Sequence, residues 1–295
     1  MIPKGIELFE NATYDSLAKG DYDVGFCSSL SSLFVENQKN IATRQETTMS
    51  LLGKLRRAAE KLTGTHIYRE LPPGLDFASD IQAALPHFRA RVIFDVGANV
   101  GQSASLMSAR FPESEIYSFE PSADTYQQLQ RNVQQYDRVH CIQLALGASK
   151  KIAQMALDGS SDRSFLIDES TQESPKDVSS ESVQVDTLDS FCSAKKIDRI
   201  NFLKIDTEGG DLDVLKGAAM LLKEHRVDIV EVEAGMNPNN ERHVPFETLK
   251  AFLESNKYYL FGIYEQVKEW PTRSPNLRRT NPIFLSQATI EQNRS

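Results

Sequence analysis

The sequence predicts an α/β fold built on a doubly wound, mostly parallel β-sheet. Apolar runs and helix-like segments alternate along the chain from Arg91 onward. The first apolar run leads into a glycine-containing turn, Asp95-Val96-Gly97-Ala98-Asn99-Val100-Gly101. Alternation of this kind favours parallel strands covered by helices on both faces. The chain closes on two apolar runs with no convincing helix between them, which predicts a terminal antiparallel pair.

The predicted elements follow one another in the order that such a sheet requires. Five strands precede the closing pair, at residues 92–95, 115–120, 140–146, 200–206 and 227–233. Helical patterns lie at residues 102–110, 123–135, 212–224 and 244–255. The closing strands occupy residues 258–265 and 282–285. Two extra strands, at 152–157 and 182–187, flank a polar loop at 160–180 that is inserted before the fourth strand.

Residues 1–75 have a different pattern, with short helical patches, polar breaks and no clear strand. The segment Leu71-Pro72-Pro73-Gly74 interrupts the chain and marks a boundary. We therefore expect a mainly helical extension over residues 1–75 and a main domain over residues 76–295. Within the extension, residues 49–62 predict a basic amphipathic helix that packs on the main domain. An anionic membrane surface or a partner protein is the alternative contact.

Composition limits the possible functions. The 295-residue chain is 40% hydrophobic and carries a formal charge of −8, which argues against a nucleic-acid partner. Its three cysteines are widely separated and form neither a zinc spacing nor a disulfide framework, so a reducing compartment is expected. No apolar segment approaches a signal peptide or the ~20 residues of a membrane span. The sequence therefore predicts a cytoplasmic protein without stable membrane insertion.

The glycine turn and the end of the second strand predict a nucleotide-like ligand. Strand, glycine turn and helix in succession bring backbone N–H groups to a bound group. Asp95 could meet a ligand ammonium or hold the turn by hydrogen bonds. Glu120 ends the second strand, where a carboxylate can accept both hydroxyls of a ribose. A solvent-facing glutamate is the alternative interpretation of Glu120.

A second group of acidic residues follows the fourth and fifth strands. Asp206 ends the fourth strand and is expected to face the cleft, whereas Glu208 and Asp211 could cap the following helix. On the fifth strand, Glu231 and Glu233 share one face. Glu233 is a cleft candidate, and Glu231 is expected to pair with a basic residue. His243, just beyond, is either a base for a hydroxyl proton or a solvated loop histidine.

These motifs together resemble the FkbM family of S-adenosylmethionine-dependent methyltransferases over residues 91–285. The resemblance is carried by residues 94–102, Glu120-Pro121, Ala145-Leu146-Gly147, and residues 185–189, 203–211 and 214–218. It implies the class I methyltransferase (Rossmann-like) fold, whose seven-stranded sheet is mostly parallel with an antiparallel last strand. It also implies S-adenosylmethionine as cofactor and O-methylation of a sugar or natural-product hydroxyl. Gly210 is a mild departure, because the family often has a larger residue there.

The resemblance also implies roles for individual residues. It places one group of residues around the methionine part of the cofactor: Asp95, Gly97, Ala98, Asn99 and Gly101. Glu120 would hold the ribose, Ala145 and Leu146 would lie near the adenine, and Asp206 would lie beside the sulfonium and the acceptor. The base candidates are Asp206, His243 and Glu233. A magnesium ion held by Asp206 with Glu233 or Asn237 is an alternative that the spacing does not require, so no metal is expected.

Two other functions remain open from the sequence. A nicotinamide-dependent oxidoreductase would have the turn G-x-G-x-x-G, which fits badly because Asn99 stands between Gly97 and Gly101. A non-catalytic cofactor-binding scaffold is the other. The expected partner is a small-molecule or glycan acceptor, and a homo-oligomer is possible. Acceptor recognition is expected from the N-terminal extension, the loop at 160–180 and residues 235–243.

Overall fold

The structure is a computed structural model that describes residues 51–64, 68, 72–157, 165–166, 179–240, 242–269 and 274–294. The chain divides into two compact units, Met1–Glu70 and Leu71–Ser295. In the first unit, helix α1 (Leu51–Thr63) has exposed Leu55 and Leu62 side chains. Most of the predicted N-terminal extension lies outside the described residues. None of the described helices combines the length and apolar character that a membrane crossing requires.

The second unit alternates strands and helices, as predicted. The strands are β1 (Val92–Val96), β2 (Glu115–Phe119), β3 (Val139–Ile142), β4 (Ala145–Leu146), β5 (Lys151–Leu157), β6 (Phe165–Leu166), β7 (Ser179–Asp186), β8 (Ile200–Ile205), β9 (Val227–Val232), β10 (Ala234–Gly235), β11 (Tyr258–Lys268) and β12 (Leu277–Ser286). The helices are α2 (Phe77–Ala84), α3 (Gln102–Arg110), α4 (Ala123–Val133), α5 (Leu188–Lys195), α6 (Asp211–Lys216), α7 (Ala219–Lys223), α8 (Phe246–Ser255) and α9 (Gln287–Gln292).

The main sheet confirms the predicted class I architecture. Its order is β10-β12-β9-β8-β1-β2-β3, and β11 pairs with β12. Strands β3, β2, β1, β8 and β9 are parallel, whereas β12 runs antiparallel to both β9 and β11. The sheet has eight strands rather than seven because the two-residue β10 adds a short antiparallel contact with β12.

Two predicted elements are each divided in the structure. The strand expected at 140–146 is β3 in the main sheet followed by β4, which pairs with β7 in a second sheet. The helix expected at 212–224 is α6 and α7, separated at Gly217. A Cβ at Gly217 would lie 2.1 Å from the carbonyl oxygen of Gly147, so close backbone contact breaks the helix there. Helices α2, α5 and α9 were not predicted.

The inserted segment forms a small sheet of its own, in the order β4-β7-β5-β6. Strands β5 and β7 pair antiparallel, which confirms the two extra strands. Buried side chains on this sheet form a separate cluster: Ala145, Ala153, Met155, Val183 and Val185. Most of the loop at 160–180 lies outside the described residues.

Strand alternation places apolar layers on both faces of the main sheet and gathers polar residues at one edge. Phe94 and Val96 belong to one buried cluster, and Ile93 belongs to the other. Because β1, β8 and β9 are parallel, their carboxyl ends meet at the same edge. Ligands of open α/β sheets bind at this edge.

Candidate active site

The turn after β1 brings the backbone close to the neighbouring strand end. Gly97 and Gly101 have φ values of +81° and +92°. The N–H of Asp206 donates to the Val96 carbonyl at 2.9 Å, and a Cβ at Gly97 would lie 1.9 Å from the Asp206 carbonyl oxygen. A Cβ at Gly101 would instead lie 2.8 Å from Cγ1 of Val133. Gly97 therefore packs against the chain just after β8, whereas Gly101 packs against α4.

Glu120 is held by the backbone of the same corner. Its Oε2 accepts the N–H of Asn99 at 3.1 Å, and its Oε1 accepts the N–H of Ser122 at 3.0 Å. The side chain is buried, and burial raises its pKa to about 7 even though the two amides favour the charged form. The carboxylate is thus fixed in place with acceptor capacity left for a ligand.

A cavity of about 620 Å³ opens at this corner. Most of the residues expected at the site line it: Gly97, Ala98, Asn99, Glu120, Ala145, Leu146, Asp206 and Glu233. Asp95, Gly101, His243 and Asn237 do not line it. The inserted sheet contributes Lys151, Met155 and Val185. The sequence reasoning missed Lys151 and Met155 because no motif marks them, and Val185 lies in a motif of the resemblance but was given no role there.

The cavity fits the cofactor that the resemblance implies. Within the described residues, the side-chain oxygens of Asn99 and Thr207 are buried at its lining without a hydrogen-bond partner. Buried polar atoms in folded proteins are normally paired, so a polar ligand group is the natural partner here. Phe119, Leu146 and Met155 give another part of the lining an apolar character suited to a heterocyclic ring.

A row of charged residues lies across three strands beneath the cavity. Strand register aligns Asp95 with Lys204 and Lys204 with Glu231. All three are buried. Lys204, which lies beside Glu231, is thus the basic residue that was expected to pair with it. Asp95 does not line the cavity, and among the described residues neither of its carboxyl oxygens has a hydrogen-bond partner, so it does not hold the glycine turn by hydrogen bonds.

Beside Asp206, five charged side chains form what we call the charge network: Glu208, Glu233, Arg242, His243 and Arg279. Arg279 Nη1 lies 2.7 Å from Glu233 Oε1, and Arg242 Nε lies 2.7 Å from Glu208 Oε2. His243 Nε2 lies 3.0 Å from Glu233 Oε2 and 3.5 Å from Glu208 Oε2. Arg279 and Arg242 were missed from the sequence, because neither arginine belongs to a motif.

His243 is buried rather than solvated. Its Nδ1 lies 3.0 Å from Oδ1 of Asn240, whose Nδ2 donates to the Arg278 carbonyl. Burial disfavours the imidazolium, but the facing carboxylates Glu208 and Glu233 outweigh that effect and raise the pKa of His243 to about 9. At neutral pH the ring is therefore charged, and this state opposes the predicted role of proton acceptor.

Asp211 organises the turn that presents Glu208. Its carboxylate accepts the N–H groups of Thr207 at 3.3 Å and Gly209 at 3.2 Å, just before α6 begins. Glu208 has a left-handed φ of 53°, and a Cβ at Gly209 would lie 2.4 Å from the Arg242 carbonyl oxygen. The turn is thus packed against the loop that carries His243, and Glu208 reaches the cavity instead of capping the helix.

The charge network also contains a possible set of metal ligands. One ligand atom each from Glu208, Glu233 and His243 lies within 4.8 Å of the others. Each carboxylate already faces a guanidinium, and the imidazole is protonated at neutral pH. The network therefore holds three cationic side chains against two carboxylates.

Comparison with known proteins identifies the family. The sequence of residues 95–260 matches the protein family described as Methyltransferase FkbM domain. The chain belongs to the FkbM methyltransferase family. The match covers the glycine turn, Glu120, Asp206, the charge network apart from Arg279, and helix α8. The resemblance seen in the sequence is thereby confirmed, together with S-adenosylmethionine as the family's cofactor.

Three curated relatives show how far the similarity extends. The chain is 30% identical over 152 residues to hexuronic acid methyltransferase AglP of Haloferax volcanii, covering 50% of this chain and 59% of that protein. It is 27% identical over 185 residues to Methyltransferase 1 of Beauveria bassiana, covering 56% and 71%. It is 25% identical over 146 residues to 2-O-methyltransferase NoeI of Sinorhizobium fredii, covering 46% and 60%. The chain thus spans less than two thirds of two of these relatives.

Proposed function

We propose that this FkbM family member methylates a hydroxyl group of a sugar-containing or natural-product acceptor, with S-adenosylmethionine as methyl donor. One observation carries the proposal. One cavity is lined by the glycine turn and Glu120, which we assign to the cofactor and call the cofactor end, and by Asp206 and Glu233, which we assign to the acceptor and call the acceptor end. The names of two relatives, a hexuronic acid methyltransferase and a 2-O-methyltransferase, support an oxygen acceptor on a sugar.

The cofactor end is assigned as follows. Gly97, Ala98 and Asn99 hold the methionine part, Glu120 accepts the ribose hydroxyls, and Ala145 with Leu146 lies against the adenine. Gly101 acts indirectly, because it lets α4 pack closely, and Asp95 is given no contact with the cofactor. When bound, S-adenosylmethionine supplies a methyl group on a sulfonium, so the protein's contribution is position and electrostatics.

Asp206 is the group that we assign to the acceptor hydroxyl. It lines the cavity, and Lys204 Nζ holds its Oδ2 at 2.9 Å. With S-adenosylmethionine bound, the cofactor would supply the methyl group to the acceptor oxygen with its sulfur as the leaving group, and Asp206 would accept the hydroxyl proton. Alignment of the reacting groups supplies much of the acceleration, up to about 7–11 kcal/mol.

Glu233 and His243, the other two base candidates, take positioning roles in this proposal. Both carboxyl oxygens of Glu233 face cations of the charge network. His243 is already protonated at neutral pH and lies behind the lining. The two residues therefore fix the wall beside Asp206 rather than accept the proton.

Binding and turnover are tested separately. Calorimetry should show binding of S-adenosylmethionine and none of NAD, and a screen of sugars and glycosylated metabolites should release S-adenosylhomocysteine with at least one acceptor. Asp206→Asn is the matched variant, expected to bind S-adenosylhomocysteine and to lose about 100-fold or more in turnover. Binding of NAD alone would overturn the proposal, and binding without turnover on every acceptor would favour a scaffold.

A small-molecule or glycan acceptor is part of the proposal. The cytoplasmic location, the absence of a nucleic-acid partner and the homo-oligomer stay predictions.

A further inference from the structure

Two rows of residues follow one another at the carboxyl ends of β1, β8 and β9. The upper row, Gly97, Asp206 and Glu233, lines the cavity. The row two residues earlier on the same face is Asp95, Lys204 and Glu231, aligned by strand register. Below both rows the face is apolar. The upper row is thus supported by a buried layer of charge.

Lys204 is the cation of that layer. Its side chain is only 7% exposed, and its Nζ donates to Asp206 Oδ2 at 2.9 Å. Burial of an ammonium lowers its pKa, but the carboxylates of Asp206, Asp95 and Glu231 outweigh this and raise the pKa of Lys204 above its ordinary value. Among the described residues of the two rows, three carboxylates therefore surround one ammonium that stays charged.

The three carboxylates that surround Lys204 differ in their pKa values. Burial raises the pKa of Asp95 to about 6 and that of Glu231 to about 7. Burial acts in the same direction on Asp206, but the ammonium of Lys204 outweighs it and holds the pKa of Asp206 below its ordinary value. Glu233, Asp211 and Arg279 are the other charged groups near Asp206. Asp206, the member that faces the cavity, is thus the one of the three that ionises most readily.

We propose that Lys204 is a positioning residue that fixes negative charge on Asp206 and holds this carboxylate toward the cavity, so that the protein binds a sulfonium ligand in preference to its neutral thioether. This inference rests on the proposed function. The glycine turn holds the methionine part of the cofactor there, and Gly97 of that turn packs against the Asp206 carbonyl, so Asp206 would lie beside the sulfonium. S-adenosylmethionine carries the sulfonium, and S-adenosylhomocysteine is the same molecule without the methyl group and its charge. The ratio of the two affinities therefore reports the charge at Asp206.

The test is calorimetry of both ligands with the full chain. In Lys204→Met, S-adenosylmethionine affinity should fall about tenfold at neutral pH, while S-adenosylhomocysteine affinity should change less than about twofold. Lys204→Arg should keep most of the preference, because the cation remains. Lys250→Met is the matched control, since Lys250 pairs with Glu254 on the surface of α8 and the substitution should leave both affinities unchanged.

The pH dependence separates positioning from a merely structural role. In Lys204→Met the preference for S-adenosylmethionine should recover as pH rises. Without the ammonium of Lys204 the pKa of Asp206 is higher, so this carboxyl ionises only at higher pH. A structural role would lower both affinities at every pH. An unchanged ratio in Lys204→Met would overturn the inference, and so would an equal loss of both affinities in a folded variant.

The wild-type protein provides a second measurement if Lys204→Met does not fold. Its preference for S-adenosylmethionine should stay constant down to about pH 5.5 and should be lost in Asp206→Asn. A preference that disappears below neutral pH in the wild type would overturn the inference. If the wild type binds neither ligand, the proposed function itself fails, which is a distinct result.

Discussion

The two ends of the cavity are built in different ways. At the cofactor end, backbone geometry makes the site: Gly97 allows a close strand contact, and Glu120 is fixed by the N–H groups of Asn99 and Ser122. At the acceptor end, the charge network makes the site, with side chains that come from the α6 turn, the end of β9, the 235–243 segment and β12.

This difference has consequences for both stability and specificity. A site formed by the backbone depends on a few close contacts, and it tolerates few substitutions at the residues that make them. A network of paired charges depends on protonation and can be altered gradually, one side chain at a time. The cofactor end should therefore respond to mutation abruptly, and the acceptor end should respond to pH.

The strongest test of the cofactor end is Gly97→Ala. The new Cβ would lie 1.9 Å from the Asp206 carbonyl oxygen, so the turn and β8 must move apart. We expect a loss of at least about 3 kcal/mol in unfolding free energy, or a loss of more than about 100-fold in S-adenosylhomocysteine affinity. Urea unfolding and calorimetry would measure the two effects.

Gly74→Ala is the matched control for this substitution. Gly74 has a φ of +92°, similar to that of Gly97, but a Cβ there would meet nothing within 4 Å. The backbone strain alone should cost about 1–2 kcal/mol and leave cofactor affinity unchanged. Equal effects of the two alanines would contradict a steric role for Gly97.

The acceptor end is tested by the pH dependence of stability. The pKa of His243 is raised from 6.5 to about 9 by Glu208 and Glu233, so its stabilising contribution is complete below pH 6.5 and is lost as pH rises through about 9. The contribution at low pH is about 2–3 kcal/mol. Urea unfolding of the wild type should therefore show a larger loss between neutral and alkaline pH than His243→Gln shows.

His87→Gln is the control for the histidine experiment. His87 is exposed, and its replacement should leave the wild-type pH dependence intact. If His243→Gln kept the wild-type slope as well, the charged state of His243 would not contribute to stability. If His243→Gln lost turnover only at alkaline pH, where the imidazole of the wild type is neutral, His243 would act as the base and not as a positioning residue.

The same difference explains how much the sequence alone could predict. The parallel sheet, the antiparallel end and Glu120 follow from local patterns, namely strand periodicity, a glycine turn and an acidic strand end. The pairing of His243 with Glu208 and Glu233 depends on a loop folding back onto another strand's end. Arg279 comes from a distant strand, and no local pattern connects it to Glu233. The split of the 212–224 helix depends on a tertiary contact of Gly217 with Gly147.

A smaller effect is expected for ribose binding at Glu120. Because burial raises the pKa of Glu120 to about 7, the carboxylate gains its full acceptor capacity only above that pH. S-adenosylhomocysteine affinity should rise between about pH 6 and pH 8 and should be about tenfold lower and nearly independent of pH in Glu120→Gln. Glu115→Gln, at the other end of β2, is the control and should behave as the wild type does.

The smallest expected effect concerns the inserted sheet. Glu181 on β7 accepts the N–H of Ala123 at 2.9 Å, at the start of α4, and its charge raises the pKa of Glu120. Glu181→Gln keeps the hydrogen-bond acceptor and removes the charge. Unfolding free energy should fall by about 0.3–1 kcal/mol, because a negative charge is lost at a helix N-terminus. The pH midpoint of S-adenosylhomocysteine binding should move to slightly lower pH, since Glu120 then ionises more easily. A midpoint that stays in place or moves upward would contradict the inference that the charge of Glu181 raises the pKa of Glu120.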